Sequence, residues 1–173
     1  RAKHGSTFDG WYTSDGAKWD FTTPVTENIT LTARWTLKAQ EVSNEQELTD
    51  ALADTSVGRI LLTTDIGIRS SLTVNRTVTL DLNGYVLRYD EAADPDSIFR
   101  VKAGKLTLTD SAPTASHSDA SLPAGGLITG GKGFKYDNGA GQSYTYYGGG
   151  VYVETGASFV LAGGTIYACG AQS

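Results

Sequence analysis

The chain has 173 residues, with 21 glycines, no methionine and a formal net charge of −5. That length allows one hydrophobic core, or one core with a small appendage. The negative charge argues against binding to nucleic acid, which favours a basic surface. No apolar run is long enough to cross a bilayer, and the single cysteine, Cys169, cannot form an internal disulfide. We therefore expect no nucleic-acid partner and no membrane insertion.

The first segment combines aromatic residues with Gly, Asp, Ser and Thr. Three aromatic anchors come first, at Phe8, Trp11 and Trp19. Apolar residues then alternate with polar ones, which predicts a half-buried strand. The alternating positions are Ile29, Leu31, Ala33 and Trp35.

Residues 5–35 resemble a known module. An aromatic residue precedes D-G-W-Y, a second aromatic hairpin follows, and P-V-T leads into a strand that ends in A-R-W. This order resembles the Listeria–Bacteroides repeat, a small β-grasp-like module of internalin-type bacterial surface proteins. Only the later part of the module is matched, so the resemblance implies a partial repeat at residues 1–36 of a longer mosaic protein. Residues 37–42 are expected to be a linker.

One helix is predicted after that linker. Ser43 and Gln46 have the spacing of a capping box, and Leu48, Ala51 and Leu52 form a short apolar stripe. The pattern predicts an amphipathic helix over residues 44–53. Because a stack of repeated strands exposes its first layer, this helix is expected to cap it.

The rest of the chain, residues 43–173 with the helix, consists of short strands that repeat. Three units align strand for strand, each with apolar residues at alternate positions and a glycine-rich corner, which predicts an all-β right-handed parallel β-helix. A β-sandwich with irregular strands is the alternative. The expected inward residues of the first strands are Leu72 and Val74, Phe99 and Val101, and Val151 and Val153; those of the second lie in 78–80, 106–108 and 159–161; those of the third are Val86, Ile128 and Ile166.

Several phrases in this region also resemble a second family. They occur at 47–52, 78–87, 104–111 and 125–131, and they resemble the pectate-lyase-like β-helices of adhesin-like proteins from gut Firmicutes. The resemblance implies the β-helix fold. It says little about activity, because that fold carries polysaccharide lyases, glycoside hydrolases, tailspikes and inert stalks.

An acidic loop is the candidate metal site. Clustered carboxylates can hold calcium, which prefers several oxygen ligands. A solvated turn opened by Pro95 is the alternative, and the spacing matches no known calcium loop. Calcium is the one cofactor considered, and the four acidic residues are Asp90, Glu91, Asp94 and Asp96.

Two further sets of residues are candidates for catalysis. Asp81 and Asp110 follow the second strand of successive units, so their carboxylates are expected to stack as a hydrolase pair, or else to bind the backbone of the corner. A lyase needs a basic residue on an outer face, for which Arg88 and Arg100 are the candidates. Outward charges are also what any solvated face carries, so no catalytic residue is assigned.

A tyrosine-rich loop is the candidate binding surface. Aromatic rings beside Asn, Gln and Asp can stack on sugars and form hydrogen bonds with them, although such tyrosines also pin long loops to a sheet. The tyrosines are Tyr136, Tyr144, Tyr146 and Tyr147.

Three functions compete at this stage. The first is a non-catalytic, extracellular module of a bacterial cell-surface protein, which binds a glycan or a host-surface protein. The second is part of a polysaccharide lyase or glycoside hydrolase, and the third is a passive stalk. The incomplete N-terminal module also suggests self-assembly through an exposed edge.

Overall fold

The structure is a computed structural model that describes residues 6–90, 96–137 and 144–170. These residues form one short helix and fifteen strands, so the chain is mostly β, as predicted. The strands belong to four sheets, of six, four, two and three strands.

The N-terminal segment is an antiparallel strand pair. Strand β1 (Ser6–Tyr12) pairs with β2 (Thr32–Val42), and Phe8 lies opposite Trp35 with 5.0 Å between the ring centroids. Trp11 packs edge-on against Phe8 at 5.9 Å. The predicted strand was expected to include Ile29, but β2 begins at Thr32, because β1 ends opposite that residue.

The expected linker, residues 37–42, is the second half of β2. Four of its residues, 39–42, pair in parallel with residues 59–62 on the next strand. The sequence suggested a linker because Lys38, Gln40 and Glu41 make it polar. These polar residues are tolerated because Lys38 and Glu41 are exposed to solvent and Gln40 is only half-buried.

Helix α1 (Glu45–Ala53) follows directly, close to the predicted bounds, and its apolar stripe is buried as predicted. Its N-cap is Asn44 instead of Ser43. The Asn44 side chain accepts a hydrogen bond from the Glu47 amide at 2.9 Å, and the Glu47 carboxylate accepts one from the Ser43 amide at 2.8 Å. The capping box is therefore displaced by one residue from the predicted position.

The helix C-terminus is held by an arginine from a later turn. Arg76 donates from Nε to the Leu52 carbonyl at 2.8 Å and from Nη2 to the Ala51 carbonyl at 2.7 Å. These carbonyls lie at the end of the helix, where intrahelical donors run out. Arg76 thus joins α1, which packs against the first strands, to the sheets beneath it.

Apart from one hairpin, the remaining strands form three sheets that the chain visits in rotation. We call residues 57–167 the three-sheet region and one passage through its sheets a circuit. The strands are β3 (Val57–Leu62), β4 (Ile66–Ile68), β5 (Leu72–Val74), β6 (Val78–Asp81), β7 (Val86–Tyr89), β8 (Phe99–Val101), β9 (Lys105–Thr109), β10 (Leu127–Thr129), β11 (Phe134–Asp137), β12 (Tyr144–Tyr147), β13 (Val151–Val153), β14 (Ser158–Leu161) and β15 (Thr165–Tyr167).

When the hairpin β11–β12 is left aside, each of the three sheets collects every third strand from β3 onward. The six-stranded sheet has the order β1-β2-β3-β6-β9-β14, the four-stranded sheet β15-β10-β7-β4 and the three-stranded sheet β13-β8-β5. All neighbours from β2 to β15 in these sheets are parallel. Equivalent strands of successive circuits therefore lie side by side, and β11 and β12 form a separate antiparallel hairpin.

The core consists of equivalent side chains that stack between circuits. Phe99 pairs with both Leu72 and Val151, and Leu108 pairs with Leu80, as the sequence predicts. In the last circuit, the expected inward residues Val153, Leu161 and Ile166 align with the circuit before them but are exposed to solvent. The third strand differs by one residue. The core partner of Ile128 is Leu87, while Val86 is buried outside the central cluster. Both positions are apolar, so alternation alone cannot choose between them.

Candidate functional site

The corner between β6 and β7 contains a two-residue turn formed by the sequence pair Asn83-Gly84. Asn83 and Gly84 both have positive φ, 50° and 77°, and the Tyr85 amide donates to the Leu82 carbonyl at 2.9 Å. This is the arrangement that Asn-Gly favours. The turn brings Asp81 and the following circuit's corner, which begins at Asp110, close together.

Asp81 is almost completely buried, with 1% of its surface exposed. Its Oδ1 accepts hydrogen bonds from the amides of Asn83 and Ser111, both at 2.9 Å, and its Oδ2 forms an ion pair with Arg59. Burial acts to raise the pKa of the Asp81 carboxyl, but the Arg59 guanidinium and the two amides outweigh it, so the pKa lies below the ordinary 3.8. The side chain is therefore a carboxylate that holds two corners together.

Asp110 performs the reciprocal role. Its Oδ1 accepts from the Gly84 amide at 2.7 Å and the Ala112 amide at 3.2 Å, and its Oδ2 accepts from the Gly126 amide at 2.7 Å. Gly84 belongs to the previous circuit, whereas Ala112 and Gly126 lie at the two ends of residues 111–126. Asp110 therefore closes that segment at its base.

The structure thus brings Asp81 and Asp110 to one corner, as their sequence positions predicted. Their oxygens accept hydrogen bonds from the backbone of the corner and, for Asp81, from Arg59. Binding to the corner backbone was the alternative to a hydrolase pair. Chemically, this arrangement is suited to fixing the turn, because an acceptor directed at buried amides satisfies donors that water cannot reach.

The two arginine candidates lie in other sheets. Arg88 is an exposed residue of β7, in the four-stranded sheet, and lines a small depression of about 170 Å³ with Asp119 and Leu122. Arg100 lies on β8 in the three-stranded sheet, level with Thr73 and Tyr152. Asp81 belongs to the six-stranded sheet, so these acids and bases occupy three different sheets.

Half of the acidic loop can be placed. Asp90 forms an ion pair with Arg69, with 3.0 Å between Oδ2 and Nε, and Asp96 accepts a hydrogen bond from the Ser97 amide at 2.7 Å. Glu91 and Asp94 lie outside the described residues. Among the described residues, no three His, Cys, Asp or Glu side chains gather closely enough to hold a metal ion.

The tyrosine-rich segment includes the hairpin β11–β12, in which Tyr136 lies opposite Thr145 and Asp137 opposite Tyr144. Tyr147 closes the hairpin opposite Phe134, and its half-exposed ring lies 6.3 Å from that of Tyr152. The remaining tyrosine of the predicted set, Tyr146, pairs with Lys135. The hairpin is thus a regular element, whereas the sequence suggested an irregular loop.

A polar cleft that corresponds to none of the predicted sites lies beside the Asn83-Gly84 turn. We call it the corner cleft; it has a volume of about 520 Å³. Residues before and within the turn form one wall and the segment 111–126 forms the other. The cleft is lined by Thr64, Asp65, Asn83, Gly84, Tyr85, Ala112, Ala115, Ser116, His117 and Ser118.

The segment 111–126 is ordered by its own hydrogen bonds. The Gly125 amide donates to the Ala115 carbonyl at 2.8 Å, and His117 Nε2 lies 2.8 Å from the Gly125 carbonyl. Because a carbonyl only accepts, Nε2 carries the proton and Nδ1 is the acceptor in the neutral ring. The sequence offers a signal for this wall alone, the long polar insertion 111–126, because binding residues often lie on such loops.

Comparison with known proteins gives one match. Residues 2–34, about a fifth of the 173-residue chain, match the family model of the Listeria-Bacteroides repeat domain. Neither a curated protein nor a solved structure matches the chain. The match confirms the N-terminal resemblance, and this repeat is typical of bacterial surface proteins. In the described part of the chain, no helix has the length and apolar character needed to span a membrane.

Proposed function

We propose that this chain is a non-catalytic module of an extracellular bacterial surface protein that binds glycans or host-surface proteins. The observation that carries the proposal is the Listeria-Bacteroides repeat at residues 2–34, joined through the unbroken strand β2 to the three-sheet region. The repeat supports a location at the cell surface. The shared strand places the repeat and the three-sheet region in one continuous sheet, which supports a single unit.

We further infer that the three-sheet region is a right-handed parallel β-helix. Support comes from the rotation of the chain through three parallel sheets and from side chains such as Leu72, Phe99 and Val151 that stack in register. Parallel strands joined by crossovers in one sheet are right-handed in about 98% of cases.

The positions of the acidic residues favour a binding module over a hydrolase. Asp81 and Asp110 are committed to backbone amides and to Arg59, and a nucleophile or general acid needs an oxygen directed at substrate. Arg88 and Arg100 lie in other sheets than Asp81, so they support no shared site with it.

One experiment tests the proposal against its alternatives. The chain is incubated with mucin and with host and plant polysaccharides, with calcium or with EDTA, and both retention and the release of new sugar ends are measured. Retention without release supports the binding module. Calcium-dependent release of unsaturated products would replace it with a lyase, and neither retention nor release would leave a stalk or a protein ligand.

A further inference from the structure

We propose that the corner cleft binds a neutral sugar residue, held by the carboxylate of Asp65, the phenol of Tyr85 and the hydroxyls of the 111–126 segment. This inference rests on the proposed glycan-binding function and assigns a site to it. The site is assigned apart from the tyrosine hairpin β11–β12, since the described residues that line the cleft all belong to 64–65, 83–85 and 112–118.

The cleft is a built feature with two rigid walls. One wall is the Asn83-Gly84 turn, whose Gly84 amide is fixed by Asp110 at 2.7 Å. The other is the segment 111–126, which Asp110 closes at both ends and His117 fastens to the Gly125 carbonyl. Rigid walls lower the entropic cost of binding a ligand, since no segment has to be ordered when the ligand arrives.

The cleft offers polar atoms that the fold leaves unused. Asp65 accepts the Val86 amide with Oδ1 at 2.9 Å, and its Oδ2 accepts nothing from the described residues. Within that same part of the chain, the phenol oxygen of Tyr85 and the hydroxyls of Ser116 and Ser118 also form no hydrogen bond. These groups provide one anionic acceptor and several groups that both donate and accept, which suits the vicinal hydroxyls of a sugar ring.

Tyr85 adds the apolar contact that such a ring requires. Its side chain is half-buried and packs against the hydrophobic core while it lines the cleft, so the position of the aromatic ring is fixed. Sugar rings have apolar C–H faces as well as hydroxyls, and a tyrosine offers both an apolar ring and a polar tip. The volume, about 520 Å³, lies within the range of small-molecule sites.

The charges of the lining select against acidic sugars. Among the described residues, Asp65 is the one acidic residue that lines the cleft, and no Lys or Arg of that part of the chain lines it. A uronate would bring a second carboxylate near Asp65 without a cation to pair with either, which is unfavourable. We therefore expect neutral hexoses or N-acetylhexosamines to bind and uronic acids to be rejected.

The test uses the full 173-residue chain, labelled for amide NMR and titrated with methyl β-galactoside, methyl N-acetyl-β-glucosaminide and methyl β-glucuronide. We expect either neutral glycoside to shift the amides of Tyr85 and residues 116–118, and the glucuronide to leave them unchanged. Ser116→Trp fills the cleft from an exposed position and is expected to weaken binding about tenfold or more, a loss of about 1.4 kcal/mol. Thr114→Trp, an equally bulky change at an exposed residue that does not line the cleft, is expected to retain wild-type affinity.

Asp65→Asn tests the charge separately, because it keeps an acceptor for the Val86 amide. We expect this variant to bind the glucuronide with an affinity near that for the neutral glycosides. Retention of mucin by the chain without any shift at the corner cleft, or equal binding by Ser116→Trp, would overturn this site and leave the proposed function intact. Failure of every glycan in both assays would overturn this inference together with the glycan-binding part of the proposed function, and would leave a protein ligand or a stalk.

Discussion

Replacement of Asp110 by alanine tests whether the paired aspartates serve the fold. The Asp110 carboxylate accepts three backbone hydrogen bonds, from Gly84 at 2.7 Å, Ala112 at 3.2 Å and Gly126 at 2.7 Å. Gly84 and Gly126 are buried, so water reaches their amides poorly once the carboxylate is removed. The alanine variant keeps the Cβ and removes only these acceptors.

The expected loss follows from the number of orphaned donors. A buried donor without a partner costs about 1–3 kcal/mol. Two such amides and the longer bond from Ala112 together give about 3–5 kcal/mol, out of a total stability of roughly 5–15 kcal/mol for a protein domain. For a chain of this size, 1 kcal/mol corresponds to about 2–4 °C in Tm, so Tm is expected to fall by about 6–20 °C.

Differential scanning calorimetry at neutral pH measures this effect, with Asp119→Ala as the control. Asp119 is an exposed acid of the same 111–126 segment that bonds only to neighbours in that segment, so Tm is expected to stay at the wild-type value. Asp110→Asn should be intermediate, because one amide oxygen remains for two of the three donors. A Tm for Asp110→Ala equal to that of the control would refute the structural role.

Three further predictions follow from single contacts. Gly104 has φ +70°, and a Cβ there would lie 2.3 Å from the backbone of Arg76. Gly104→Ala should therefore lower the free energy of unfolding, measured by chemical denaturation, by about 2–4 kcal/mol. The control Gly156→Ala, at φ +86° in open space, should lower it by only about 1–2 kcal/mol. Arg76→Met removes the donors to the carbonyls at the end of α1, so it should lower the free energy of unfolding by about 2 kcal/mol. Arg69→Met removes only an exposed ion pair and should lower it by less than about 1 kcal/mol. Equal amide exchange rates in α1 for the two variants would show that Arg76 does not stabilise the helix end. The pKa of the Asp81 carboxyl is lower in the folded chain than its ordinary value of 3.8, so its ionised form stabilises the fold above pH 3.8. This stabilisation is lost as the pH falls through the folded pKa, so the Tm difference between the wild type and Asp81→Asn should shrink below pH 3.8. A Tm difference that stays constant with pH would contradict an ionised Asp81.

The order of strands could be predicted because the core imposes a repeated constraint on the sequence. Each circuit must present apolar residues to the circuits beside it, so Leu80 and Leu108 recur at equivalent places and align by inspection. The helix was predictable for the same reason, since Leu48 has to face the first strands. Where two adjacent residues are both apolar, as at Val86 and Leu87, the constraint does not identify the inward one.

The contacts that fix the corners were less accessible to sequence reasoning. Asp81 and Asp110 could be placed at related positions, but their actual partners are backbone amides, which every residue except proline carries and which therefore leave no signal in the sequence. Arg59 and Arg76 read as ordinary surface charges, although one pairs with a buried carboxylate and the other holds the end of a helix. The corner cleft was missed because its two walls are separated along the chain.

Strand β2 connects the N-terminal repeat to the sheet that carries the corner cleft. Its first half pairs with β1, and its second half pairs with β3, which in turn pairs with β6 of the six-stranded sheet. Among the described residues, 32–37 pair only with β1 and 38–42 only with β3, and the register shifts between Lys38 and Ala39, so the strand backbone itself joins the two halves. The six-stranded sheet then continues to the corner that Asp81 and Asp110 fasten. One continuous sheet therefore connects the repeat to the corner beside the corner cleft, and this continuity supports a binding module that is carried by the repeat.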